Sequence, residues 1–237
     1  VKSGRHVPAT GDLSTHVAAL ASADAVYDAA FRRAGLLRVR ALDELFAAAE
    51  TMGRLRSLSG RRLAILTNGG GVGGLAADSL LDLGGTLATL AASTRSKLEA
   101  LLPEAWSQDN PVDILRDADE TRYSAAIEAL LEDGNSDALL VVNVPTALSS
   151  STEAALALTH AVERQSRQPR PKPVLAVWLG EEAAAAEALA QAHIPNYRTE
   201  ADAIRGFMHL VRHGEAQVAL METPPSLPED FVVDAPA

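Results

Sequence analysis

The sequence predicts an α/β fold: a doubly wound, five-stranded parallel sheet, preceded by the C-terminal part of another α/β domain. Three observations predict it. Short apolar runs alternate with helical stretches from residue 62 to 212. Each connection between successive strands is long enough for a helical crossover, which parallel pairing requires. Apolar residues make up 47% of the 237, with 45 alanines and only nine aromatic rings, the composition of closely approaching helices laid over a sheet. Helices on both faces of such a sheet give the flavodoxin-like arrangement.

The elements follow in order. Residues 1 to about 55 hold one initial strand end, a polar loop to Thr15, a helix near Asp24 to Arg33 and another near Leu42 to Met52, with too little apolar surface to fold alone. Arg62 to Thr67 is short, apolar and followed by a glycine cluster, as a buried strand is. A helix from about Val72 to Leu83 turns Leu75, Leu80 and Leu83 toward the sheet and stops at Gly84-Gly85. Thr86 to Leu90 is the second strand. Ser93 is the expected N-cap of a helix reaching Leu101, before Pro103. After a loop at Ser107 to Leu115 come a helix at Asp119 to Leu131 and a strand at Asp137 to Val144. A helix at Ser151 to Gln165, a strand at Pro173 to Leu179 and a helix at Glu181 to Ala192 continue the series. An edge strand at Ile194 to Tyr197 and a helix from Thr199 to Arg212 complete it. The expected units are therefore 1–56, a preceding segment; 57–213, the α/β domain; and 214–237, an acidic, proline-rich linker or tail.

Charge and composition exclude several function classes. The formal charge is −10, which argues against a nucleic-acid or anionic-membrane partner. Cysteine is absent, so disulfides, thiolate metal sites and thiol nucleophiles are ruled out. No apolar run approaches the ~18 residues of a membrane span, and the first residues lack a signal-peptide layout; a cytoplasmic location is the default expectation. The chain starts with Val rather than Met, as a piece of a longer protein would. Its histidines show no metal-ligand spacing. His209 and His213 are four apart but lack the glutamate of a zinc motif, and a solvated helix face is expected for them.

The chemistry concentrates at strand ends. Asn68-Gly69-Gly70-Gly71-Val72-Gly73 follows a strand and opens a helix, so its glycines can take φ > 0 and bring backbone N–H groups to an anion at a helix N-terminus. A tight turn with close helix–sheet contact is the alternative role. Gly69, Gly71 and Gly74 also match the spacing of a dinucleotide site, but Leu90 to Ser93 stand where an acidic residue should meet the ribose. A nicotinamide-binding oxidoreductase is thus a remote alternative. Asn110-Pro111-Val112-Asp113 is a turn-forming run that either clamps its own loop or presents Asp113 to a ligand at the same edge. His16 lies among small uncharged residues; an imidazole with one free nitrogen can carry a phosphoryl group.

The ordered set of these segments resembles the NDP-forming acyl-CoA synthetases of the succinyl-CoA synthetase superfamily. Lys2 to Gly35, with His16 in its small-residue loop, is similar to the end of one of their domains. Thr67 to Gly71, Asn110 to Asp113, Val144 to Ala147, Pro173 to Gly180 and Ile194 to Thr199 resemble the ligase domain that follows, in order. The resemblance implies that His16 is the catalytic phosphoryl carrier. It implies that backbone N–H groups of Asn68, Gly69, Gly70, Gly71, Val72 and Gly73 bind phosphate, and that Asn110 and Asp113 orient the reacting groups. CoA or acyl-CoA and ATP or ADP would be used by the parent protein, with no tightly bound cofactor and no metal. CoA-binding and ATP-grasp domains would be its partners, and a homo-oligomer is compatible with it.

Ala18 and Ser22 depart from the family pattern, standing where active members usually carry glycine. Gly35-Leu36-Leu37-Arg38-Val39, Phe207 to Val211 and Glu222 to Pro228 are more similar to the synthetase-like half of bacterial GNAT-fused lysine acetyltransferases. That likeness implies a regulatory acyl-CoA- or nucleotide-binding role beside a GNAT domain, with an active synthetase segment as the alternative.

Overall fold

The computed structural model describes residues 24–221, apart from 57, 59 and 181 and the side chain of Asp43. His16, the expected loop before it and the tail from 222 onward lie outside the described residues. Helices α1 (Asp24–Arg33) and α2 (Leu42–Arg54) come first. Then follow β1 (Arg62–Thr67), α3 (Gly70–Asp82), β2 (Thr86–Leu87), α4 (Ala92–Leu101), β3 (Val112–Asp113), α5 (Glu120–Glu132) and β4 (Ala138–Asn143). The chain continues through α6 (Ser151–Ser166), β5 (Val174–Trp178), α7 (Ala183–Gln191), β6 (Asn196–Tyr197) and α8 (Glu200–Met221).

All the strand pairs are parallel, in the order β2-β1-β4-β5-β6. The strands are buried on both faces, which is why they read as unbroken apolar runs rather than alternating ones. Leu63, Ile65, Leu140, Val142, Leu175 and Val177 face Leu80 of α3 and Ile204 and Phe207 of α8. Ala64, Leu66, Leu139, Val141 and Ala176 face the opposite layer, filled by Leu98, Ile127, Leu158 and Leu189 of α4 to α7. The doubly wound fold expected from the sequence is the one observed.

A sixth strand, β3, was not expected. β2 pairs with Arg62 and Leu63 at the start of β1, and β3 with Leu66 and Thr67 at its end, so two short strands share one edge. The Asn110 carboxamide fills the step between them. Its Oδ1 accepts from Ile65 N at 2.9 Å, and its Nδ2 donates to Leu63 O and Ala88 O, each at 2.9 Å. A side chain thus supplies the ladder bonds that a continuous strand would have made. It sits within a loop gathered on Ser107, whose one hydroxyl proton is shared between Asp109 O and Pro111 O and whose Oγ accepts from Asp113 N, with a cis Asn110–Pro111 bond.

Four local expectations are corrected. Leu75 is 55% exposed, and Gly73, Ala76 and Leu80 form the inner face of α3. Five residues of helix turn through about 500°, so Leu75 and Leu80 cannot share a face. Ser93 is not the cap of α4; the N-cap is Ala91, whose N–H is held by Asp133 Oδ2 at 2.9 Å from the end of α5. His209 is only 4% exposed, not solvated. Finally, α8 runs nine residues past the expected end at Arg212, because Gly214 lets the Leu58 carbonyl approach and Gln217 donates to Gly35 O. The expected stop at Gly84-Gly85 is a paired turn: Gly84, at φ 81°, donates to Leu81 O and Gly85 to Leu80 O.

The N-terminal segment docks on α8. Tyr197 Oη and Thr51 Oγ1 lie 2.7 Å apart, joining β6 to α2, and Gly206 of α8 leaves the room, since a methyl group there would sit 2.5 Å from Tyr197 Oη. Burial pushes the Tyr197 hydroxyl up to about 12, so it is protonated at neutral pH.

Candidate functional site

In doubly wound sheets ligands collect outside the C-terminal strand ends where the winding reverses. Here that point falls between β1 and β4, because β2 lies on one side of β1 and β4 on the other. A cleft of about 790 Å³ opens there, walled by Asn68, Gly69 and Gly70 on one side and Val144 to Leu148 on the other, with Asp113 and Arg116 along a third.

Each wall is built by a polar clamp. The Asn68 carboxamide is 2% exposed and closes on the Val144 backbone, accepting from its N and donating to its O, both at 2.8 Å. It extends the β1–β4 ladder by one pseudo-residue and ties the cleft's two sides together. Thr67 Oγ1 accepts from Gly69 N at 3.0 Å and turns the chain into α3. Across the cleft, Thr146 Oγ1 donates to Arg116 O at 2.9 Å, and Arg122 donates to Ile114 O at 3.1 Å. Leu115, at φ 69°, is held in the left-handed region by its own N–H bond to Asp113 Oδ1 and by the Ala118 N–H on its carbonyl.

The glycines act by close approach. None of Gly69 to Gly74 has a positive φ, which corrects the expectation of left-handed backbone in this turn. A methyl group at Gly69 would lie 2.7 Å from Val144 Cγ2, at Gly70 2.5 Å from Asp113 Oδ2, and at Gly73 2.9 Å from Thr67 Cγ2. At Gly71 it would meet nothing within 4 Å. The Val72 and Gly73 N–H groups both reach the Gly69 carbonyl. Those of Gly70 and Gly71, the first helical residues, have no preceding intrahelical carbonyl to take them, which leaves two donors at the positive end of α3, and Gly70 lines the cleft.

The structure therefore separates the residues singled out by sequence. Asn68, Gly69, Gly70 and Asp113 meet at the cleft, with Gly71 next in the chain but outside its lining, whereas Asn110 is spent on the sheet ladder beneath it and Val72 and Gly73 bond back into the helix. Asp113 commits Oδ1 to Leu115 and leaves Oδ2 beside Gly70. Beneath it Tyr123 is buried; that burial, with the Asp113 charge adding to it, pushes its hydroxyl far above the ordinary range, although Asn143 Nδ2 donates to it at 2.9 Å. Sequence reasoning missed Arg116. Its guanidinium has no partner among the described residues, and the signal available was a basic residue three positions past the strand-end Asp113.

Comparison with known proteins gives the family and supports the fold. Residues 63–208 match the Ligase-CoA domain, and residues 1–52 match the succinyl-CoA ligase like flavodoxin domain. The chain belongs to the Ligase-CoA family. Among curated relatives, the Ligase-CoA chain is 32% identical over 219 residues to the ADP-forming acetate–CoA ligase II subunit alpha of Pyrococcus furiosus, covering 91% of this chain and 47% of that one. It is 37% identical over 155 residues to ADP-forming acetate–CoA ligase I of Archaeoglobus fulgidus, covering 65% and 22%. Among solved structures, dinucleotide forming acetyl-coenzyme A synthetase 1 of Ca. Korarchaeum cryptofilum superposes with a TM-score of 0.76 at 27% identity, covering 85% of this chain and 44% of that one. The same enzyme in complex with phosphate and ADP gives 0.75 at 26% identity, covering 86% and 45%. The Ligase-CoA chain thus spans less than half the length of the relatives it matches.

Proposed function

We propose that this chain is the phosphoryl-handling segment of an NDP-forming acyl-CoA synthetase, with His16 as carrier and the β1–β4 cleft as one of the places the phosphorylated ring is held. The observation that carries this reading is the positive end of α3 at the cleft: Gly70 lines it, and the Gly70 and Gly71 N–H groups have no preceding intrahelical carbonyl. A phosphoryl group in transfer spreads negative charge over its oxygens, and preorganised donors aimed at that charge stabilise it. Arg116 adds a cation on the side it shares with Asp113. Asp113 Oδ2 would accept the N–H of the imidazole, fixing the tautomer and leaving the other ring nitrogen free to take the phosphoryl group. In that step a P–N bond forms as the P–O bond to the acyl carboxylate or to the nucleotide breaks. Asn68 then acts through the Val144 backbone, holding the cleft open rather than touching the ligand. CoA, acyl groups and ADP or ATP would be bound by CoA-binding and ATP-grasp domains of the parent protein, in keeping with relatives that are subunits or larger chains of ADP-forming ligases.

Ala18 and Ser22, in place of glycine near His16, favour a second reading: the same cleft without turnover, binding acyl-CoA or nucleotide to regulate a fused GNAT lysine acetyltransferase. Labelling decides between the two. The full-length parent is incubated with labelled ATP or acetyl phosphate, beside His16→Ala. Acid-labile label that depends on His16 is the expected result. Equal label in both proteins, or none in either while acetyl-CoA still binds, defeats the carrier role and leaves the regulatory one.

A further inference from the structure

A hollow of about 200 Å³ lies at the edge of the sheet where the strands begin, opposite the β1–β4 cleft. Val174 at the start of β5, Ile194 just before β6, Val162 of α6 and Leu55 after α2 give it an apolar floor. Its volume falls under the roughly 300 Å³ at which small-molecule sites begin, so it suits a side chain rather than a free ligand.

The rim is basic. Arg54 is committed, pairing with Glu50 and donating to Ile194 O at 3.3 Å, and Lys172 Nζ is spent on Leu130 O, Asp133 O and Ser136 Oγ. Arg56 also lines the hollow and has no acceptor among the described residues. Between the lining residues Ser166 and Pro171 runs a short loop that carries Arg167 and Arg170, equally without partners among the described residues. Gln165, 5% exposed, holds that loop shut. Its Oε1 accepts from Lys172 N at 2.9 Å, its Nε2 donates to Lys172 O at 2.8 Å, and its carbonyl accepts from Gln168 N. Three unmatched guanidiniums therefore border an apolar opening, and among the described residues no acidic side chain lines it. On a chain of net charge −10, such a patch calls for an acidic partner with an apolar residue beside its carboxylates.

The sequence supplies that partner. Residues 222–237, outside the described residues, contain Glu222, Glu229, Asp230 and Asp234 and no basic side chain, with Phe231 and Val232 directly after the Glu229-Asp230 pair. They continue from α8, which begins past β6 and runs back to the edge where the strands start: Gly214 lies against Leu58, and Glu215 pairs with Arg61, both just before β1. Leu55 and Arg56 also line a neighbouring hollow together with His213 of α8, so the helix passes beside the basic rim. From His213 to Met221 the helix covers about 12 Å. The eight residues 222–229, with Pro224, Pro225 and Pro228 among them, reach about 25 Å when extended, twice what a return requires.

We propose that this acidic tail docks on the hollow, the Glu229 and Asp230 carboxylates on Arg56, Arg167 and Arg170 and the Phe231 ring over Leu55, Val174 and Ile194. Docking holds the tail at the edge of the sheet away from the β1–β4 cleft. A single exposed ion pair contributes little, so the ring and the grouped charges act together.

The test uses the whole chain, which has no cysteine, so Ala235→Cys offers a single attachment point for a nitroxide label. In the isotope-labelled chain the nitroxide should selectively broaden the amides of Arg56, Arg167, Gln168, Arg170, Lys172 and Val174, leaving those of Gly69, Gly70 and Asp113 sharp. Glu229→Gln/Asp230→Gln/Phe231→Ser should abolish that loss of signal, and so should Arg56→Gln/Arg167→Gln/Arg170→Gln. The first variant touches only the tail and the second only exposed side chains, so both keep the fold, checked by an amide spectrum unchanged elsewhere. Nitroxide-bearing chain mixed with isotope-labelled chain that carries no nitroxide reports contact between copies. Absence of selective broadening, broadening centred on another surface, its persistence in either variant, or its equal strength between copies would each overturn the proposal. None of these outcomes depends on phosphate binding at the β1–β4 cleft.

Discussion

Asp113 and His209 show how much a single side chain can decide. The carboxylate beside Gly70 already offers a negative charge to the start of α3, a favourable place for it. An incoming phosphate must share that field. Asp113→Asn should therefore raise the affinity of the chain for inorganic phosphate by about 3- to 10-fold at low salt, read by titration, while weakening any step that needs the imidazole held. His209 is buried with Nδ1 unpaired. Burial lowers its pKa below the ordinary 6.5; Glu44 opposes this, and Arg212 and Arg205 add to it. The unfolded chain then binds a proton at a pH where the folded chain does not. Stability is thus highest above 6.5 and falls as the pH drops through 6.5 toward the lowered value, levelling below it. His209→Leu should flatten that slope in denaturant titrations between about pH 5 and 7. Neither effect was legible in the sequence: spacing said that His209 was on a helix, but only the docking of α2 on α8 buries it.

At the scale of elements, two glycines in helices make opposite predictions. A methyl group at Gly214 would lie 1.7 Å from the Leu58 carbonyl oxygen, a backbone atom that cannot step aside without giving up the Leu58 N–H bond to Leu210 O. Gly214→Ala should cost roughly 1–3 kcal/mol, the usual penalty of overpacking. Gly74 meets nothing within 4 Å, and Gly74→Ala should stabilise α3 by about 0.5–1 kcal/mol. Chemical denaturation with both variants in parallel checks the pair. Asn110→Ala removes three ladder bonds and leaves buried groups of Ile65, Leu63 and Ala88 without partners, a loss of roughly 3 kcal/mol. The long elements were readable because β1, β4 and β5 are apolar runs bounded by turn residues. β3 was not, because a two-residue strand has no period of its own and depends on a side chain 45 residues from Ile65 to join it to the sheet. The same limit applied to the site. The glycine run marked the cleft, yet its reason, close approach to Val144 and Asp113, became visible only when those residues were in place.

Across the whole molecule, the described part of the N-terminal segment meets the ligase domain through Thr51, Tyr197 and α8. Tyr197→Phe and Thr51→Val should show a coupling of about 1 kcal/mol in a double-mutant cycle, because either change removes the same bond. A coupling near zero would mean that the segment does not dock as described. That docking involves β6, α2 and α8, whereas the cleft lies where β1, β3 and β4 finish. The central claim concerns the cleft. It is tested most directly by following the backbone amides of the intact chain as inorganic phosphate is added: Gly70 and Gly71 should shift together and saturate, with Arg116→Ala weakening the effect. Shifts that bypass both glycines, or that rise without saturating across the surface, would contradict a phosphoryl cradle at the start of α3.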